Sequence, residues 1–66
     1  MTRLEAKILR QLEATPMFRE DLHFSIVCSQ YELGRALEML ENKGRIRRNL
    51  QEQKGKLTGL YQLLAS

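Results

Sequence analysis

The stretch Ser29–Arg48, SQYELGRALEMLENKGRIRR, decides how this chain folds. Ser29 and Glu32 have the S-x-x-E spacing of a capping box, which satisfies two otherwise free backbone donors at a helix start. Leu33, Ala36, Leu37 and Leu40 follow at three- and four-residue intervals, one face of a helix. Gly44 stands just past the last periodic residue, after Asn42 and Lys43, where a left-handed helix stop is expected. The pattern then switches to alternation. Ile46, Arg48 and Leu50 alternate with Arg45, Arg47 and Asn49, as in a strand with one apolar face. The spacing predicts a helix over about 30–43 and a strand over about 45–50.

The same reading extends outward in both directions. Thr2-Arg3-Leu4-Glu5 is a second capping box, and Leu4, Ile8 and Leu12, widened by Leu9, form the stripe of a first helix over about 3–14. Thr15-Pro16 ends it, because the residue before proline is pushed out of helical angles. Met17-Phe18 is a candidate connecting strand. A short second helix is expected over about 19–25, with Glu20 and Asp21 in the first turn, where the helix dipole favours carboxylates. Leu22 and Ile26 point inward, and Val27-Cys28 forms the turn. Gln51–Lys56 reads as a polar loop with Gly55 near its tip. A second strand is expected over about 57–64, with Tyr61 and Leu63 on one face and Leu60 and Leu64 on the other. Two strands are not stable alone. They must lay their apolar face on the helices, which makes one α+β domain across residues 1–66.

The net charge of +3 is unevenly distributed. Residues 1–44 hold six Lys/Arg against seven Asp/Glu, and residues 45–66 hold five against one, giving −1 and +4. A basic final third points to a polyanionic partner or to a solubilising surface. A single cysteine, Cys28, forms no intramolecular disulfide and no cysteine-based zinc site. It reads as a small core residue, and the single histidine, His23, as a partly buried polar residue. No phosphate loop, dinucleotide fingerprint, metal-ligand cluster or nucleophile–base pair is present, so neither an enzyme nor a cofactor is expected. No apolar run approaches the length of a membrane span, and a cytoplasmic location is expected.

Helix, candidate strand, helix, helix, strand, strand, with a glycine stop running into a basic strand, resembles the winged helix-turn-helix DNA-binding domains. The layout is similar to the small stand-alone bacterial and phage regulators of that family. Leu22 matches the family's leucine in the second helix. Ile26 and Cys28 match the apolar positions bracketing the turn, and Ser29 matches the cap of the third helix. His23 falls where a small residue is preferred and Val27 where glycine is common. The turn is therefore expected to differ from the commonest geometry. The resemblance implies a three-helix bundle with a C-terminal two-stranded hairpin wing. The implied function is DNA binding by a regulator of transcription or site-specific recombination, or else a protein-interaction adaptor that has lost DNA binding.

If the third helix enters a major groove by its start, Gln30, Tyr31, Gly34 and Arg35 are the residues it would present. Gln pairs bidentately with adenine and Arg with guanine, and Tyr donates to phosphate. Gly34, costly inside a helix, marks either close approach of backbone to DNA or tight packing against a neighbour. Glu38 and Glu41 lie further along the helix. In the wing, Arg45, Arg47, Arg48, Lys54 and Lys56 would hold phosphates of double-stranded DNA. Leu60, Leu64, Phe24 and Met39 fall off the core stripes. They are candidates for binding a second subunit or a protein partner, unless the first helix covers the last strand on that side.

Overall fold

The computed structural model describes residues 2–64. The expected domain span includes positions 1, 65 and 66, which lie outside the described residues. The elements run in the order α1 (Arg3–Ala14), β1 (Met17–Phe18), α2 (Arg19–Ser25), α3 (Gln30–Asn42), β2 (Ile46–Gln53) and β3 (Lys56–Leu63).

Both capping boxes form. Thr2 Oγ1 accepts from the Glu5 amide at 3.1 Å, and Ser29 Oγ accepts from the Glu32 amide at 3.0 Å. Gly44, at φ +72°, closes α3 as expected. The Arg45 amide donates to the Leu40 carbonyl and the Gly44 amide to the Glu41 carbonyl, each at 3.0 Å. This is the paired bonding of a Schellman stop. It turns the chain directly from α3 into β2.

The three strands form an antiparallel sheet in the order β1-β3-β2. Met17 pairs with Tyr61 and Phe18 with Leu60, so the candidate connecting strand is a real edge of the sheet. Ile8, Leu12, Leu22, Leu33, Leu37 and Leu40 meet Ile46 and Tyr61 in the core, which is the expected set of stripes. Cys28 is half-buried against that core.

The structure corrects the sequence reading at the wing in two respects. The expected polar loop 51–56 is a two-residue turn. Lys54 (φ +52°) and Gly55 (φ +78°) are its centre, and the strands extend to Gln53 and from Lys56. Positive φ at both central residues is the type I′ requirement, which matches the twist of a hairpin. Leu50, read as part of the apolar face of its strand, is 68% exposed, and Leu57 is 74% exposed. The hairpin projects past the end of the core, so its alternation continues where no helix covers it.

Candidate nucleic-acid interface

The turn between α2 and α3 sets the pose of α3. Val27 is almost wholly exposed, and Lys54 is the one non-glycine residue with positive φ among those described. The turn therefore runs without the left-handed residue that glycine commonly supplies. His23 closes it instead: His23 Nε2 lies 2.9 Å from the Cys28 carbonyl oxygen. A carbonyl only accepts, so Nε2 carries the proton, and Nδ1 accepts from the Gln30 side-chain amide at 3.2 Å. The histidine that stands where a small residue is preferred thus bridges the turn to the first residue of α3.

Gln30 is held from a second side. Arg19, the first residue of α2, donates from Nη2 to the Gln30 backbone carbonyl at 3.0 Å. Its guanidinium lies over Gly34: a β-carbon there would sit 3.0 Å from Arg19 Nη2. The glycine makes room for a side chain of its own chain. Of the two sequence readings of Gly34, close packing has the geometric support, and the packed group is itself a cation. Arg19 was not singled out from sequence, although the glycine four residues along the helix from Gln30 was its signal.

Tyr31 and Arg35 stand on the exposed side of α3, with Arg35 Nη1 donating to the Tyr31 hydroxyl at 3.5 Å. Glu38 is exposed one turn further on and lines a small concavity with Arg35 and Met39. A larger polar concavity separates α3 from the wing. Arg19, Gly34, Glu38, Glu41, Asn42 and Arg48 line it over the edge of Tyr61.

The wing cations do not all face the same way. Side chains alternate along a strand, and the register places Arg48 on the face that carries buried Ile46 and Tyr61. Gly59 permits this, because the Arg48 stem crosses the space its β-carbon would fill. Arg47 stands on the opposite face. With the Gln62 amide oriented by its partners, the Gln62 oxygen accepts from Arg47 Nε and Nη2, each at 2.8 Å. Arg45 is turned toward α1, in a groove with Leu9, Glu13, Leu63 and Leu64. Lys54 and Lys56 line a groove at the wing tip with Glu20 of α2 across from them. The structure therefore gathers Gln30, Gly34 and Arg48 with Arg19 along one flank of α3. Tyr31 and Arg35 lie on its adjoining exposed side, and Arg45 and Arg47 lie apart.

The candidate apolar contact residues are likewise dispersed. Phe24 is 93% exposed on α2. Met39 lines a groove with Thr2, Leu4 and Tyr31, and Leu64 lines the separate one against Leu9. Leu60 is half-buried opposite Phe18. Among the described residues no group of three or more His, Cys, Asp or Glu side chains is placed to hold a metal ion. No described helix is long and apolar enough to cross a membrane.

Two helices joined by a tight turn, packed on a third helix and followed by a hairpin over their open side, define a winged helix-turn-helix fold. No family model matches the chain, and no curated protein matches its sequence. Among solved structures it is similar to the reduced form of the transcriptional regulator YodB from B. subtilis, with a TM-score of 0.85 and 22% identity over 96% of this chain. The chain spans 62% of the length of that protein.

Proposed function

We propose that this chain is a DNA-binding regulator acting in transcription or site-specific recombination, with the start of α3 in the major groove and the wing against phosphates. The observation that carries the reading is electrostatic. Among the described residues, none of Arg19, Arg35, Arg48, Lys54 and Lys56 has a carboxylate within ion-pair distance. Cations free of internal partners along α3 and the adjoining wing are what a phosphate backbone requires. Gln30, fixed through His23 and Arg19, is preorganised to present its side chain at a base edge, and Tyr31 and Arg35 extend the contact along the helix. The fold likeness to a transcriptional regulator supports the same reading. Arg45 and Arg47 reach DNA in this pose only if the duplex wraps past the wing.

The adaptor reading has its own support. Glu38 and Glu41 border the concavity beside Arg48, and Phe24 and Val27 are almost fully exposed. Titration of random duplex with the chain, at several salt concentrations, separates the two. With Arg35 at a base edge, phosphate contacts from the other four, Arg19, Arg48, Lys54 and Lys56, give a log–log slope of about −3.6, and Arg35→Ala and Lys54→Ala each weaken binding while leaving the domain folded. No affinity at low salt, or unchanged affinity in both variants, returns the adaptor reading.

A further inference from the structure

Strand β2 is an edge of its sheet, with β3 on one side and no strand on the other among the described residues. It is eight residues long, contains no proline, and keeps register with β3 without a bulge from Ile46 to Gln53. Shortness, proline and bulges are among the devices by which edge strands avoid pairing with other chains, and β2 lacks all three; its protection is the charge of Arg47, Arg48 and Glu52.

The orientation of its free backbone groups follows from one bond. The Leu64 amide donates to the Arg45 carbonyl at 3.0 Å. Antiparallel partners alternate between bonded and non-bonded pairs, so odd-numbered residues of β2 turn their backbone toward β3. Ile46, Arg48, Leu50 and Glu52 turn theirs outward, and the side chains of these four share one sheet face.

We propose that β2 pairs antiparallel with β2 of a second copy of this chain, about a two-fold axis through Leu50, joining two three-stranded sheets into one. A two-fold contact requires a surface that complements itself. The run Arg48-Asn49-Leu50-Gln51-Glu52 does so when centred on Leu50. Arg48 of each copy then faces Glu52 of the other, Leu50 faces Leu50, and Asn49 faces Gln51. Opposite charges across a strand pair stabilise it, and like charges destabilise it. Neighbouring registers lose the match. Centring on Arg48 sets that arginine against itself, centring on Asn49 sets it against Leu50, and centring on Gln51 sets it against Lys54. The pairing also gives Leu50, exposed in the single chain, an apolar neighbour at the centre of the contact. Arg48 leaves its position over Gly59 and turns to the edge, a side-chain change of the kind common at interfaces. This surface is distinct from Phe24, Met39, Leu60 and Leu64. It does not rest on the DNA reading, but it shares Arg48 with the proposed DNA surface, so association is measured without DNA.

Sedimentation equilibrium of the whole chain without DNA tests the proposal, with far-UV circular dichroism to confirm that each variant is folded. The wild type shows a monomer–dimer equilibrium. Arg48→Glu alone and Glu52→Arg alone each set like charges opposite one another twice, and each weakens association by about tenfold or more. The chain carrying both R48E and E52R restores opposite charges and recovers wild-type association. A wild type that stays monomeric at every concentration overturns the proposal. So do folded single variants that associate like the wild type, and a folded double variant that does not recover. If a variant fails to fold, amide exchange in the wild type decides instead: Arg48, Leu50 and Glu52 amides gain protection as concentration rises, and protection independent of concentration overturns the pairing.

Discussion

The Lys43 ammonium reaches Glu5 Oε2 at 2.9 Å, tying the C-terminal cap of α3 to the first turn of α1. The Glu5 side chain is almost wholly removed from solvent, whereas that of Lys43 stays partly exposed. The other carboxylate oxygen accepts from the Thr2 amide at 3.3 Å and the Thr2 hydroxyl at 3.1 Å. One carboxylate thus completes a helix cap and joins two helices that the chain separates by most of its length. A buried charge persists when it is paired and hydrogen-bonded in this way.

That pairing sets an acid response. The hydrogen bond from Lys43 holds the Glu5 carboxyl below its ordinary range; burial opposes the shift, and the Thr2 bonds reinforce it. A folded-state pKa below the unfolded one means stabilisation that is present above the unfolded value, about 4.3. It is lost as pH falls through the folded value. Glu5→Gln is therefore expected to lower the melting temperature at neutral pH, with the gap to wild type closing in acid. Melting curves of both chains across that range check this, and a gap independent of pH would contradict the assigned ion pair.

Gly34 offers a second measurement. An added methyl meets the far end of Arg19, which can shift by a few tenths of an ångström. The helix gains about 0.5–1 kcal/mol from replacing glycine by alanine. Gly34→Ala is expected to be neutral to stabilising by up to about 1 kcal/mol in urea unfolding. Arg19→Ala should remove the hold on Gln30 and weaken DNA binding. A Gly34→Ala chain destabilised by more than about 1 kcal/mol would mean that the Arg19 position is more rigid than a flexible guanidinium allows.

Gly59 and Arg48 are expected to be coupled. A β-carbon at Gly59 would sit 2.4 Å from Arg48 Cδ and 2.5 Å from Cγ, too close unless the arginine stem moves. Gly59→Ala should therefore destabilise the wild-type chain. In an Arg48→Ala background it should be neutral or stabilising, because alanine loses less backbone freedom in a strand. A double-mutant cycle in urea should return a coupling of about 1 kcal/mol. Additive effects would show that the stem finds another path at no cost.

These residues also show what the chain discloses before it folds. Helix starts and stops are local chemistry, so Thr2, Ser29 and Gly44 were legible, and so were the apolar stripes they bound. The extent of the wing was not. A two-residue turn is best signalled by Asn-Gly, and here only the glycine is present, behind a lysine. Alternation also cannot reveal where a core ends, so Leu50 read like Ile46 although no helix reaches it. Partners set by tertiary packing were invisible. Glu5 was identifiable as a cap but not as the mate of a lysine 38 residues away. Gly34 was identifiable as unusual but not as the seat of Arg19. For the candidate interface, the alternation already set Arg47 and Arg48 on opposite faces, whereas the seat of the Arg48 stem over Gly59 and the bond of Arg47 to Gln62 depend on the pairing with β3.

Lys54 sets stability against the proposed function. It holds φ +52° ahead of Gly55, a conformation that costs a residue with a β-carbon roughly 1–2 kcal/mol and that asparagine tolerates better. A non-glycine residue kept in a left-handed turn invites a functional reading, and at a wing tip that reading is a positive charge for phosphate. Lys54→Asn is expected to stabilise the chain by about 0.5–1 kcal/mol in urea unfolding. The same change should weaken duplex binding and reduce the magnitude of the salt slope by about 0.9, the loss of one phosphate contact. A variant that gains stability with affinity and slope unchanged would place Lys54 outside the interface. A variant that loses stability would contradict the turn geometry itself.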